Sequence, residues 1–339
     1  MSLLQAIKML PKLEQHVHIV GSTRPETLLW LIHDSGSDLP YKTVNDLERF
    51  YQYRDFPHFI KIYSAVNSTI TKESHYERLT YEMLQSQAEC NVRHVEAIFS
   101  AWDHVRRGLD FRSMVDAINR GVRRAQKQLG ISCTIRVDLV RDYGPEVGMK
   151  VLDLIEEHGE NIIAIDTGGS EYGYPPSQYM ACYERARMMG LHTVAHQGEG
   201  AGADYVWECI NSLKPERIGH GVAAAYDVEL LKTLEKRKIA IETCPVSNLK
   251  TGAVPSWGEH PIRRFIDHGI KVSVNSDDPP MFGTSMNNEY IQLHNNLNFT
   301  IEELFRISLD SIETSFLPEE KKISLKDEFL REFHQIIDV

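Results

Sequence analysis

Residues Asn161-Ile-Ile-Ala-Ile-Asp166 and His192-Thr-Val-Ala-His196 are short β-branched runs, and the amphipathic stretch between them halts at Gly190. Strand, helix and strand in that order make a βαβ unit, the building block of parallel sheets. Working outward, the alternation repeats. Upstream lie Lys12–His18, Arg93–Phe99 and Ser132–Leu139; downstream lie Arg217–His220, Ile239–Thr243 and Lys271–Asn275. Helical spacing fills the gaps. Pro25–His33 has proline in a first-turn position and Leu28, Leu29 and Ile32 on one face, while Val147–Glu157 turns Val151, Leu152 and Ile155 inward. Gly130 and Gly269, like Gly190, sit where a helix should stop before the next strand. Eight strands alternating with helices predict an α/β fold, a (β/α)8 TIM barrel; a doubly wound open sheet is the competing arrangement.

The first connection departs from this rhythm. It runs for about 75 residues, far beyond an ordinary βα loop, and includes Phe56-Pro-His-Phe-Ile-Lys-Ile-Tyr63. A connection of that length should carry its own helices and a function, such as a lid over the barrel mouth spanning about residues 22–90. The tail after Thr300 reads as two further helices packed on the outside. With no linker, repeat or low-complexity tract, residues 1–339 read as one domain.

Composition narrows the function classes. The chain is 42% hydrophobic and 25% charged, an ordinary globular balance. Its net charge of -11 argues against a nucleic-acid polymer as partner, because phosphate contacts need clustered Lys and Arg. Cysteines 90, 133, 182, 209 and 244 are odd in number and form no CxxC pair, so they read as reduced thiols of a cytoplasmic protein. The opening apolar run is too short for a signal peptide, and no run approaches the roughly 18 residues of a membrane span. The Asn67 and Asn298 sequons then carry no meaning.

In such barrels chemistry sits at the C-terminal ends of the strands, and there the polar residues break the apolar pattern. His16 and His18 end the first strand, His196 the fifth and His220 the sixth; Glu199 follows the fifth, and Asp277 and Asp278 the eighth. Alternate strand residues point to one face, so His16 and His18 present two imidazoles together. Two such nitrogens suit zinc, and a third histidine with a carboxylate completes a site with room for water. HxH alone is a weak signal; His196 and Asp277 at other strand ends strengthen it. His94, His104 and His260 lack this setting and read as structural or surface residues. One zinc lowers the pKa of water towards neutrality. Attack on an aromatic amidine carbon also needs an acid beside the ring nitrogen, and Glu199 is placed for that, with His220 and Asp278 to orient the water. The bland alternatives are a helix N-terminal acid for Glu199 and a turn for Asp277-Asp278-Pro. The fourth strand ends Ile-Ala-Ile-Asp-Thr-Gly-Gly without the lysine that bridges two metals in related barrels, which favours one metal. His196-Gln-Gly-Glu-Gly-Ala-Gly202 is glycine-rich but lacks the order of a phosphate loop.

Taken together, Pro11-Lys-Leu-Glu-Gln-His16-Val-His18, His196-Gln-Gly-Glu199, Arg217-Ile-Gly-His220-Gly, Cys244-Pro-Val-Ser-Asn248 and Asn275-Ser-Asp277-Asp278-Pro-Pro-Met-Phe-Gly resemble the adenosine deaminase family of amidohydrolases, in family order along essentially the whole chain. The resemblance implies the metal-dependent hydrolase form of the barrel with lid helices after strand one. It implies one Zn2+ on His16, His18, His196 and Asp277. Glu199 would protonate purine N1, His220 would position the attacking hydroxide, and Asp278 would bond water and N7. It also implies that the Gly169 backbone N–H meets N3 and that Phe56, Phe59 and Tyr63 cover the purine. The expected reaction is hydrolytic deamination of an adenosine-type 6-aminopurine nucleoside, a hydrolysis at the C–N bond of a cyclic amidine. The expected partner is that small molecule, with neither nucleic acid nor membrane. The competing readings are an adenine or aminodeoxyfutalosine deaminase, another mononuclear zinc hydrolase opening a cyclic amide, and a non-catalytic nucleoside-binding protein.

Departures from the family bear on substrate. Adenosine deaminases usually carry Asp two residues after the second histidine, where it binds the 5′-hydroxyl; here Val20 stands there. Ala97-Ile98-Phe99 replaces a usual Val-Arg-Tyr, and Gln197 replaces the alanine after the third histidine. The Gly21-Ser-Thr-Arg-Pro-Glu-Thr-Leu-Leu stretch is more similar to branches that accept 5′-modified adenosines. Valine cannot accept a hydrogen bond, so a 5′-hydroxyl there loses about 0.5–1.5 kcal/mol. The expectation is an enzyme that tolerates or prefers adenosines altered at the 5′ carbon. Arg24 could meet an anionic substituent, against its plainer reading as a helix-start arginine.

Overall fold

All eight expected strands form in the computed structural model, which describes residues 2–54 and 56–338, Phe56 by its backbone only. They are β1 (Lys12–His18), β2 (Val92–Phe99), β3 (Ser132–Asp138), β4 (Ile162–Asp166), β5 (His192–Gln197), β6 (Arg217–His220), β7 (Ala240–Thr243) and β8 (Val272–Val274). Neighbours pair in parallel in sequence order from β1 to β8. The ends then meet: His18 N donates to Asp277 O at 3.0 Å and Asp277 N to His16 O at 2.9 Å. That junction makes a nearly closed barrel and excludes the open sheet.

Helices between the strands bury one face each. The helix Phe111–Leu129 turns Met114, Val115, Ile118 and Ala125 into the core, starts on the Asp110 carboxylate, which accepts from Ser113 N at 2.7 Å, and ends at left-handed Gly130. Each such buried aliphatic side chain stabilises by about 1.5–3 kcal/mol, so Ile118→Ala would cost roughly 2–5 kcal/mol.

The long first connection carries four helices, Pro25–Ser35, Val44–Phe50, Phe56–Ser68 and His75–Glu89, as its length required. Two helices follow residue 300, Ile301–Thr314 and Glu319–Ile337. The first does more than pack outside. Gln15 Nε2 donates to Ser311 O and Arg217 Nη1 to Thr314 O, both at 2.7 Å, and Phe316 N donates to Glu96 Oε1 at 2.6 Å. These bonds tie the helix end to inward residues of β1, β2 and β6 and close the barrel floor. Among the described residues no helix is long and apolar enough to cross a membrane.

Candidate metal and catalytic site

The strand ends bring His16, His18, His196, His220 and Asp277 together at the barrel mouth. The ring centroids of His16 lie 4.4 Å from His196, 4.8 Å from His220 and 5.7 Å from His18. His16 Nδ1 is 2.9 Å from Glu242 Oε2, and His196 Nδ1 is 2.9 Å from Asp166 Oδ2. The Glu242 bond holds the proton on Nδ1 of His16 and leaves its Nε2 lone pair free, Asp166 stands beside Nδ1 of His196, and both Nε2 atoms are buried without a partner. Asp277 Oδ1 lies 3.3 Å from His18 Nε2 and 3.7 Å from His16 Nε2, while its Oδ2 accepts from Ser247 Oγ at 2.6 Å. Ligand atoms of His16, His18 and His196 all fall within 4.8 Å of one another. Orphaned imidazole nitrogens converging beside a carboxylate fit a tetrahedral metal with N/O ligands. Cys244 falls within the same distance of His16, His220 and Asp277, and without a metal burial pushes its thiol well above the usual range.

Charge follows this geometry. Burial, then His196 and His220, holds His16 well below the ordinary histidine value. Burial opposes charge on His18 as well, yet Asp278 and Asp277 outweigh it and raise it to about 9. Asp277 and His220 both adopt φ of 62°, a left-handed backbone that side-chain-bearing residues seldom take outside constrained sites.

Glu199 stands beside the histidines, its Oε2 3.6 Å from His220 Nε2. Burial raises its carboxyl above the ordinary range, which favours the protonated acid. Asn248 Nδ2 lies 3.1 Å from His220 Nδ1; with the amide donating, the neutral ring keeps its proton on Nε2. Asp278 is buried with Oδ1 unpaired, and burial together with Asp277 raises its carboxyl well above the usual range. Gly21 allows this approach, because a Cβ there would fall 1.5 Å from Asp278 Oδ1.

One residue holds the acid-bearing loop. Glu171, on the loop after β4, accepts from Gln197 Nε2 (2.6 Å) and from the backbone N–H of Gly198 (2.8 Å), Glu199 (2.9 Å), Gly200 (2.9 Å) and Ala201 (3.3 Å). Gly169 lies two residues before it, with its carbonyl 3.2 Å from Arg141 Nη1. Gln197, which stands in place of the family's alanine after His196, turns its amide to Glu171.

Phe59 of the first connection stacks on Phe282, four residues past Asp278, with centroids 4.7 Å apart, and Tyr53 and Tyr63 lie 5.4 and 6.3 Å from Phe59. The Tyr53 hydroxyl is buried without a partner, and burial and Asp278 raise its pKa. The side chain of Phe56 lies outside the described residues. Val20 is 3% exposed and packs in the core. Arg24 Nη2 pairs with Glu82 at 3.4 Å, in keeping with a helix-start residue. His94, His104 and His260 are buried away from the site, as structural residues.

Beneath the histidines runs a charge network the sequence reading did not contain. Arg136 Nη1 bonds both oxygens of Glu242 at 2.7 and 2.8 Å, and its Nη2 is 3.0 Å from Asp166 Oδ2. Arg217 bridges Glu242 and Glu96. The overlooked signal is a charged residue inside an otherwise apolar strand, at Glu96, Arg136, Asp138 and Glu242.

The adenosine deaminase family pattern matches residues 11–331 of this chain. An adenine deaminase of Acinetobacter baylyi is 35% identical over 332 residues, covering 98% of this chain and 99% of that protein. An aminodeoxyfutalosine deaminase of Streptomyces avermitilis is 35% identical over 311 residues, covering 91% and 87%. The crystal structure of an adenine deaminase from Arthrobacter aurescens superposes with a TM-score of 0.91 at 29% identity, covering 97% of this chain and 100% of that one. On the barrel, its polar rim and this match over nearly the whole length, the chain belongs to the adenosine deaminase family and is a hydrolytic deaminase acting on C–N bonds in cyclic amidines.

Proposed function

We propose that this enzyme is a zinc-dependent deaminase that removes the 6-amino group of an adenine ring, and that it takes adenine or 5′-altered adenosines ahead of adenosine itself. The observation that carries the reading is the pair of buried, unpartnered Nε2 atoms of His16 and His196 converging on Asp277 and His18, with the raised acid Glu199 beside them. His16, His18, His196 and Asp277 would hold the metal, whose contribution when bound is an activated water at neutral pH.

The chain's own groups divide the remaining work. Glu199 carries a proton where the ring nitrogen gains electron density, and gives it to N1 as the water oxygen bonds C6. His220, with Nε2–H outward, and Asp278 orient that water. Of the two protons the water loses, one restores the acid on Glu199 and the other goes to the amino group, so that the C6–N bond breaks with ammonia leaving and the ring keeps the oxygen as a 6-oxopurine protonated on N1. Tyr53, Phe59, Tyr63 and Phe282 exclude bulk water from these steps. Val20 supports the substrate preference, because an apolar side chain offers a 5′-hydroxyl no acceptor. The names of the two relatives, adenine and aminodeoxyfutalosine deaminases, agree with a substrate other than plain adenosine.

The test is a deamination assay on zinc-loaded protein against adenine, adenosine, 2′-deoxyadenosine, 5′-deoxyadenosine, 5′-methylthioadenosine, aminodeoxyfutalosine and adenylate. Adenine or a 5′-altered compound should show the highest kcat/KM. A wide lead for adenosine refutes the Val20 argument, and silence across the panel refutes adenine-ring deamination. Glu199→Gln should lower kcat by about 10²–10⁴ while metal content stays intact.

A further inference from the structure

Asp138 ends β3 in a position no step above employs. Arg136 points into the barrel, where it meets Glu242 on β7, and Asp138, two residues on, faces the same interior one layer nearer the mouth. It is 3% exposed. Its Oδ2 accepts from Ser100 Oγ at 3.0 Å, and its Oδ1 is buried with no partner. The β4 loop is shaped to admit it, since a Cβ on Gly168 would sit 2.7 Å from Asp138 Oδ2. Ser100, its donor, directly follows β2, so Asp138 stands where the ends of β2 and β3 meet the mouth.

A buried carboxylate oxygen without a donor is costly unless a ligand supplies one. The position says which part of the ligand. Glu199, His220 and Asp278 follow β5, β6 and β8 and flank the reacting carbon. The β2 and β3 ends are left to the far side of the substrate. In a purine attacked at C6, that side is the N3–N9 edge with whatever N9 bears.

We propose that Asp138, held by Ser100, is a specificity-determining residue that accepts a hydrogen bond from an N–H or O–H donor on the N3–N9 side of the substrate. The inference rests on the adenine-ring reading above. The shared chemistry has two sources: the N9–H of a free base, or a hydroxyl on an N9 glycosyl group.

Two measurements separate them and keep the two readings apart. Equilibrium binding to the zinc-loaded protein uses compounds without the 6-amino group: purine against 9-methylpurine, and purine riboside against its 2′,3′-dideoxy form. Turnover uses the matching 6-amino compounds. Wild type should favour the donor-bearing member of one pair, and Asp138→Asn should cut that preference roughly 10- to 100-fold. Ser100→Ala should erode the same ratio more weakly. A preference in the free-base pair assigns N9–H, and one in the riboside pair assigns a hydroxyl. Equal loss of affinity for both members of each pair, or a ratio that D138N leaves alone, overturns the proposal. Binding that follows the donor rule without turnover of any 6-amino compound leaves the Asp138 assignment standing and removes the deaminase reading instead.

Discussion

Below the histidines the barrel holds its charges in close ion pairs, with Arg136 Nε alone among those side chains facing neither an opposite charge nor a hydrogen-bond partner, whereas above them, at the mouth, several buried polar atoms lack a hydrogen-bond partner. Glu96, Arg217, Glu242, Arg136 and Asp166 alternate in sign across the interior, all at most 1% exposed and joined by contacts of 3.0 Å or less. At the mouth, His16 Nε2, His196 Nε2, Asp138 Oδ1, Asp278 Oδ1 and the Tyr53 hydroxyl are equally buried and unpaired. The difference separates two uses of one expensive resource. Paired charges fix positions; unpaired ones mark where a ligand must complete the bonding. The layers are joined, because Glu242 and Asp166 face Arg136 on one side and His16 and His196 on the other.

The largest expected effect comes from breaking the paired layer. Arg136→Met removes the cation between Glu242 and Asp166, leaving Asp166 without a guanidinium and Glu242 with Arg217 alone, and should cost about 3–5 kcal/mol in denaturant unfolding. Burial works against both carboxylates, but their neighbours hold them below the ordinary range, Arg136 first for Glu242, and His196 then Arg136 for Asp166. Removing Arg136 lets both pKa values rise, so protonation relieves the repulsion and the deficit should narrow as pH falls. A deficit that is small, or that widens in acid, would break the distinction between the layers.

Glu171 tests the boundary between scaffold and site. It contributes no atom to the metal or the proposed reaction, yet five donors of the Glu199 loop converge on it. Glu171→Gln keeps the volume but leaves one acceptor oxygen and adds an N–H that faces other donors. Loosening the acid should lower kcat roughly 10- to 100-fold with KM and metal content nearly unchanged, and Glu171→Asp should recover part of the loss. A parallel fall in kcat and 1/KM, or a change in melting temperature alone, would mark Glu171 as structural only.

The mouth was more legible in the sequence than the layer beneath it, and the reason is physical. His16 and His18 alternate on one strand, and His196, His220, Asp277 and Asp278 sit at strand ends, so local periodicity exposed them. Strand limits came within one residue for the same reason. Arg136 and Asp138 obey the same alternation, but which face of β3 looks inward depends on barrel closure through β1 and Asp277. Glu171 acts through a loop whose path no period encodes. Phe282 meets Phe59 across more than 200 residues of chain, so the lid's floor was invisible although its helices were expected.

Asp138 supplies the smallest effect and the sharpest contrast with Arg136. Burial raises its carboxyl above the ordinary 3.8, so the folded state favours the protonated form. The sign follows: the favourable term is complete below the unfolded value and is lost as pH rises through the folded one. Asp138→Asn cannot ionise and escapes that loss. Without ligand, its stability should stay within about 1 kcal/mol of wild type, on the stable side, and the difference should grow as pH rises from 4 towards neutrality. Arg136→Met is expected to behave oppositely in magnitude, because it strips the partner from paired charges, whereas Asp138→Asn removes a charge that had none. A large destabilisation by Asp138→Asn would mean that this carboxylate belongs to the scaffold and not to the ligand.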